Sequence, residues 1–207
     1  MKVELLAVTP NAEKLIEDAG RTCYLSFDKE GPETEKKFIR MLIKSGHHSV
    51  LEHAYVTFRI KGGSRSFTHQ LVRHRLCSYS QQSQRYVNEK NFNRIEPKSI
   101  KSNKEAHSLF INFIDNVKEV YQKLQSLGIP NEDARFVLPN AVESEIVISA
   151  NFRELRHIFE LRCSEKAQWE IREITLEMLR LMKEHAPTVF EDFIIDEEKR
   201  IAYLKKA

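Results

Sequence analysis

Residues 142–162 read VESEIVISANFRELRHIFELR, and the period of the apolar residues changes in the middle of that run. Val142, Ile146, Ile148 and Ala150 alternate with Glu143, Glu145 and Ser149, the two-residue repeat of a strand with one buried face. From Asn151 the repeat lengthens. Leu155, Ile158 and Phe159 fall at helical spacing, and Asn151 followed by Glu154 has the spacing of a capping box. A strand that passes into a helix at one polar residue implies a mixed α and β fold. Arg162 lies seven residues after Leu155, nearly two turns, and so projects from the apolar stripe. An arginine cannot be deprotonated cheaply. It therefore snorkels, pairs internally or faces a functional site. Arg153 and His157 occupy the opposite, polar face, where they are solvated unless a second subunit covers them.

Working outward, residues 3–8 read as a short strand and residues 11–19 as a helix ended by Gly20. A second helix is expected over residues 32–45, with Pro32 in its first turn and Gly46 beyond its end. Ala54, Val56, Phe58 and Ile60 alternate with polar neighbours, giving a half-buried strand over 53–61 that Gly62 and Gly63 break. Residues 64–74 suit a helix placing Ser66, Gln70, Arg73 and His74 near one face, and residues 87–103 a long surface loop. Apolar residues from Ala106 to Leu127, including Leu109, Phe113, Val117, Val120 and Tyr121, mark a long helix ended by Gly128 and Pro130. Asn131 is placed to cap a short helix through Leu138. The last long helix spans 167–185 and stops before Pro187.

The 207 residues suit one domain with a sizeable core. A net charge of +3 is too small to argue for bulk nucleic-acid binding, and no apolar run is long enough to cross a membrane. Cys23, Cys77 and Cys163 are three in number, widely spaced and without a CxxC pair. Reduced thiols in a cytoplasmic protein are expected, and the opening MKVELLAVTP does not have the pattern of a signal peptide.

Residues 73–86, RHRLCSYSQQSQRY, gather three Arg, one His, three Ser and three Gln with no acid. Arginine binds phosphate in a bidentate manner, and Ser and Gln add neutral donors. The stretch is either a hydrated cationic surface or a site whose counter-charge arrives with an anionic ligand. Cys77, inside this stretch, is either an activated thiol or a small buried residue; no Cys-His-acid arrangement is visible. His47, His48, Glu52 and His53 raise a metal reading, although His48-xxx-Glu52-His53 is one residue longer than the inverted zinc-protease pattern. The chain carries no GxGxxG and no GxxxxGK[ST], so any nucleotide is held by side chains and ordinary loops.

Arg73-His74-Arg75, seven residues and Ser83 resemble the RHR-x7-S signature of the flavin-dependent thymidylate synthases. Further blocks follow in family order: Arg21-Thr22-Cys23-Tyr24, Gly46-His47-x-Ser49-x-x-Glu52-His53, Gln70, Ser83-x-Arg85-Tyr86, Ala134-Arg135-x-Val137-Leu138-Pro139, Asn151-x-Arg153-x-Leu155, and Leu161-Arg162 running to Ala167-Gln168-Trp169-Glu170-Ile171. The resemblance covers about residues 19–171. It implies an α+β fold: mixed helices with a small, mostly antiparallel sheet, a single domain over 1–207, and a homotetramer with active sites shared between subunits. It also implies FAD, with NADPH and methylenetetrahydrofolate as co-substrates and dUMP converted to dTMP, and no nucleic acid or membrane as partner.

By the same resemblance Gln70, Arg73, Gln81, Ser83, Arg85, Arg135 and Arg162 bind dUMP. Ser49, Arg73, His74, Arg75, Gln81, Asn151, Arg153 and His157 contact FAD. His47 and Tyr86 lie on the folate side, and Arg162 is the catalytic cation that stabilises the ionised uracil ring. No metal and no cysteine nucleophile is implied. Substrate phosphate, FAD pyrophosphate and a reduced anionic flavin bring together about five negative charges, which the arginines would answer. Two alternatives remain at this level. One is a non-catalytic nucleotide- or RNA-binding protein using the Arg/Ser/Gln stretch. The other is a metal hydrolase centred on His48, Glu52 and His53.

Overall fold

A computed structural model describes residues 1–205. The order is β1 (Lys2–Val8), α1 (Ala12–Thr22), α2 (Thr34–Lys44), a 3-10 turn (His48–His53), β2 (Tyr55–Ser64), α3 (Arg65–Leu71), β3 (Ser78–Gln81), α4 (Lys98–Lys101), α5 (Lys104–Ser126), α6 (Asn131–Ala134), β4 (Glu143–Asn151), α7 (Phe152–Arg162), α8 (Trp169–His185), α9 (Pro187–Phe190), β5 (Phe193–Asp196) and β6 (Ile201–Leu204). The strands form a sheet in the order β1-β2-β4-β3 and a separate hairpin of β5 and β6.

The α+β expectation with mostly antiparallel strands holds. Thr9, just past the end of β1, donates its N–H to Tyr55 O at the start of β2, so those strands run in opposite directions. Between β2 and β4, Phe152 N–H donates to Ala54 O, the Thr57 and Ser149 hydroxyls meet at 2.8 Å, and Arg65 N–H donates to Val142 O. Partner numbers that rise on one strand as they fall on the other define an antiparallel pair. In the hairpin Phe193 pairs with Leu204 and Asp196 with Ile201.

The chain packs as two compact units. The first comprises Met1–Ile60, Leu71–Tyr79 and the chain from Val147 onward. Its core takes the expected inward residues, Ala54 just before β2, Val56, Phe58 and Ile60 from β2, and Ile148 and Ala150 from β4, each at most 1% exposed. Phe152 and Phe159 of α7 meet Phe190 edge to face at 5.6 and 5.7 Å, and Phe159 meets Phe193 at 6.0 Å. These ring pairs fix α7 against the C-terminal segment. The second unit comprises Lys61–Gln70 and Ser80–Ile146. Its core is Phe92, Ile114, Val117 and Val142, with Phe110, Val137, Leu138 and Ala141 packed around it.

Several boundaries differ from expectation. Gly20 lies inside α1 rather than ending it, because Phe38 packs where a side chain would stand: a Cβ there would be 2.5 Å from Cε1 of Phe38. Gly62 and Gly63 lie within β2, whose pairing with β4 outweighs the local cost of glycine. The helix after β2 ends at Leu71, so Arg73 and His74 sit in a turn, and Ser78–Gln81 is a strand rather than loop. Residues 87–103 are not all surface: Phe92 and Glu89 are buried, Arg94 bridges to Val142, and α4 lies within them. Asn131 is the first residue of α6, not its cap, and its Oδ1 accepts from Gln125. The α5 stripe is only partly inward: Val117 and Tyr121 are buried, while Leu109 and Phe113 are 66% and 54% exposed. The β5–β6 hairpin was not foreseen, since its four-residue strands carry no strong alternation.

Gly63 abuts Phe67, which is fully buried; a Cβ at Gly63 would sit 2.6 Å from Cδ1 of that ring. Gly63→Ala is expected to destabilise the protein by about 1–3 kcal/mol, read as a lower midpoint in denaturant unfolding with an unchanged m-value.

Candidate functional site

In the first unit the site is organised by the junction of β4 and α7. Asn151 Oδ1 accepts the Glu154 N–H at 2.8 Å and caps the helix. The reciprocal half of the capping box is absent, because the Glu154 side chain turns inward and is buried. The cap places Arg153 and His157 on the exposed face of α7 and Leu155, Ile158 and Phe159 on the buried one. The exposed face borders a groove of about 650 Å³ whose lining includes His48, Tyr55, Leu76, Asn151, Arg153 and His157. Ser49 stands exposed on the 3-10 turn His48–His53, directly after His47. Glu52, on the same turn, forms an ion pair with Arg153.

The turn after α3 presents Arg73 and Arg75 to solvent, with no carboxylate partner among the described residues, and points His74 inward. Tyr79 secures this turn by donating its hydroxyl to Leu71 O at 2.7 Å and to His74 O at 2.9 Å. His74 Nε2 accepts from Arg162 Nε at 3.0 Å. Its Nδ1 lies 3.6 Å from Glu154 Oε1, and its ring meets that of His157 edge on at 6.0 Å. Burial, then the charges of Arg162 and His157, pull the His74 pKa down to about 4. The ring is therefore neutral at neutral pH, and its contact with Glu154 is not an ion pair. Arg162 is half-buried at the end of α7. Its two terminal nitrogens have no hydrogen bond or ion pair among the described residues, so they remain available to an anion.

The second unit holds another group of donors. Gln81 Nε2 donates to Thr68 Oγ1 at 2.8 Å and to Ser144 Oγ at 3.2 Å. Ser83 Oγ accepts from Arg85 N–H, and Gln82 reaches the buried Glu89 at 2.9 Å. Arg85 pairs with Glu132 at 2.5 Å and lies over the Tyr86 ring. Arg135 Nε donates to the Glu132 carbonyl at 3.0 Å. Arg65 lies close enough to Arg135 that burial and this like charge lower its pKa. Gln70, in the last turn of α3, belongs to the same unit and is half-buried.

A family model, thymidylate synthase complementing protein, matches residues 4–188. A flavin-dependent thymidylate synthase of Geobacter sulfurreducens is 46% identical over 200 residues, covering 93% of this chain and 86% of that protein. One of Clostridium tetani is 41% identical over 213 residues, covering 92% and 86%. The chain belongs to the flavin-dependent thymidylate synthase family. A crystal structure of thymidylate synthase X from Helicobacter pylori, with FAD and dUMP, superposes with a TM-score of 0.78 at 26% identity over 93% of this chain and 98% of that one.

For a flavin-dependent thymidylate synthase, the grouping of residues within each unit is informative. The first unit brings together Asn151, Arg153 and His157 around the groove, and His74 with Arg162 at the end of α7; Ser49 lies on the neighbouring turn but not in the groove lining. The second brings together Gln81, Ser83, Arg85 and Arg135. The expectation that the arginines all wait for ligand charge needs correction: Arg85 and Arg153 have carboxylate partners in Glu132 and Glu52, whereas Arg73, Arg75, Arg135 and the tip of Arg162 have none among the described residues. The metal reading fails, because Glu52 is engaged by Arg153 and no group of three ligating side chains occurs among the described residues. The activated-thiol reading of Cys77 fails too. Burial pushes its pKa up to about 11, opposite to what a nucleophile needs. Sequence reasoning missed Glu154, Tyr79 and Arg65. Only the placement of Glu154 three residues after the cap carried any signal, and that signal pointed to the helix end instead.

The depressed His74 pKa has a consequence for stability. In the unfolded chain the imidazole titrates near 6.5, and in the folded protein near 4. The unfolded state therefore takes up the proton first, and the stability tied to a neutral His74 is complete above pH 6.5 and lost as pH falls toward 4. Denaturant titrations across that window are expected to show a loss of about 2–3 kcal/mol that His74→Gln removes. Burial raises the Glu154 pKa and works in the opposite direction, so the difference between the two proteins reports the histidine.

Proposed function

We propose that this chain catalyses the reductive methylation of dUMP to dTMP, with methylenetetrahydrofolate as one-carbon donor, FAD as hydride carrier and NADPH as reductant. The observation that carries the reading is Arg162. It rises from an apolar face, its Nε is held by a neutral imidazole at 3.0 Å, and its terminal nitrogens carry no partner among the described residues. Such a cation is fixed in direction and is not already neutralised by a carboxylate. Beside a pyrimidine it favours the anionic ring and raises electron density at the fifth carbon, where the new bond must form.

The residues of the first unit fit FAD. The groove of about 650 Å³ joins Arg153 and His157, at the capped start of α7, to the apolar surfaces of Leu76 and Tyr55, with Glu52 and Glu160 also in its lining. Backbone N–H groups and positive charge at a helix start favour a pyrophosphate. Bound there, FAD would supply the hydride that completes the methyl group. The chain's own part is to bind and orient. Ser49, Arg73, His74, Arg75, Gln81, Asn151, Arg153 and His157 are assigned to FAD. Gln70, Arg73, Gln81, Ser83, Arg85 and Arg135 are assigned to dUMP, with His47 and Tyr86 on the folate side. Glu132 and Glu52 hold Arg85 and Arg153 in place until a phosphate competes for them. A homotetramer with shared active sites, in the cytoplasm, completes the proposal.

Purified protein is expected to be yellow, to run at tetrameric mass and to oxidise NADPH faster when dUMP is present. Colourless protein that takes up no FAD and instead binds oligonucleotides in a salt-dependent way would favour the binding-protein alternative. Arg162→Ala is expected to keep its fold and colour while dTMP formation falls by about 100-fold or more; near-normal dTMP formation would remove the role given to Arg162.

A further inference from the structure

Glu154 occupies the first turn of α7, where a carboxylate ordinarily faces solvent and the helix N-terminus. Here it is 7% exposed. The helix does not need the side chain, since the backbone N–H of Glu154 already donates to the Asn151 cap. The carboxyl instead approaches His74, with Oε1 3.6 Å from Nδ1. On the other edge of the ring Nε2 accepts from Arg162 Nε at 3.0 Å. A ring nitrogen that accepts carries a lone pair, so the single proton of the neutral ring lies on Nδ1, the edge facing Glu154. The opposite tautomer would set two N–H donors against each other at the Arg162 contact and a lone pair against the carboxyl.

We propose that Glu154 is a positioning residue for Arg162, acting through His74: the carboxyl fixes the tautomer that leaves Nε2 bare to hold the arginine, so that both terminal guanidinium nitrogens stay directed outward. The proposal rests on the reading of Arg162 as the cation beside the pyrimidine. Burial raises the Glu154 pKa and lowers that of His74 to about 4, which keeps the imidazole neutral and the tautomer meaningful. The requirement is for an acceptor facing Nδ1, not for a charge. A carbonyl oxygen in the same place serves the same purpose, whereas a hydrocarbon does not.

The test begins with full-length protein labelled with ¹⁵N in histidine, without ligand. Long-range proton–nitrogen NMR at neutral pH should show His74 protonated at Nδ1 and bare at Nε2. In Glu154→Ala the Nε2–H form should become populated, and in Glu154→Gln it should not. In steady-state dTMP formation Glu154→Ala should lower kcat by about 10- to 100-fold with KM for dUMP changed by less than about threefold, because the lost alignment acts on the transition state. Glu154→Gln should restore kcat to within about threefold of the parent. If Glu154→Ala does not fold, Glu154→Met, which keeps the volume and removes the acceptor, replaces it. A protonated Nε2 in the parent protein overturns the proposal. So does a Glu154→Ala protein with unchanged tautomer and kcat. A parent protein that makes no dTMP defeats the functional reading, while the tautomer measurement still decides the role of Glu154.

Discussion

The arrangement of the first unit depends on how β4 hands over to α7. No loop separates them: Asn151 ends the strand and caps the helix, and Phe152 N–H still donates to Ala54 O of the neighbouring chain segment. One backbone bond and one side-chain bond thus set the rotation of α7 about its own axis. That rotation decides which side chains enter the core and which line the groove. A cap of this kind contributes only about 1 kcal/mol. Its importance is geometric, because a shift of one residue would turn Phe152 and Phe159 out of the ring cluster with Phe190 and Phe193.

The same rotation explains why charge is handled in three ways around the site. Arg153, on the exposed face, meets Glu52; an exposed ion pair of this kind is weak and readily exchanged for a stronger anion. Arg73 and Arg75 lie in a turn, have no carboxylate partner among the described residues, and remain solvated. Arg162, at the edge of the buried face, meets a neutral histidine. A carboxylate in that position would cancel the charge of the guanidinium, whereas an imidazole nitrogen holds it without neutralising it. The turn carrying His74 is held in turn by the Tyr79 hydroxyl, which satisfies two backbone carbonyls at once.

Where the reading of residues succeeded, the local signal and the tertiary requirement agreed. The alternation in β2 and β4 matched burial residue for residue, and the stripe of α7 entered the core as its period implied. Where it failed, a long-range partner overruled a local rule. Gly62 and Gly63 look like a break but are carried through by pairing with β4. Gly20 looks like a helix end but makes room for Phe38. Glu154 looks like the second half of a capping box, yet its carboxyl finds His74, which is 80 residues away in the chain (154 against 74). No spacing rule within a single helix anticipates a partner on another segment.

The sequence by itself determined the mixed class of the fold, the inward faces of its main strands and of α7, and the concentration of arginine, serine and glutamine that marks the family. Those properties follow from periodicity and side-chain chemistry, which are local. The tertiary structure alone decided which arginines are already paired, which tautomer His74 adopts, and that Cys77 is half-buried with a raised pKa rather than activated. Charge pairing and desolvation depend on distance and burial in space, and neither quantity exists until the chain has closed upon itself.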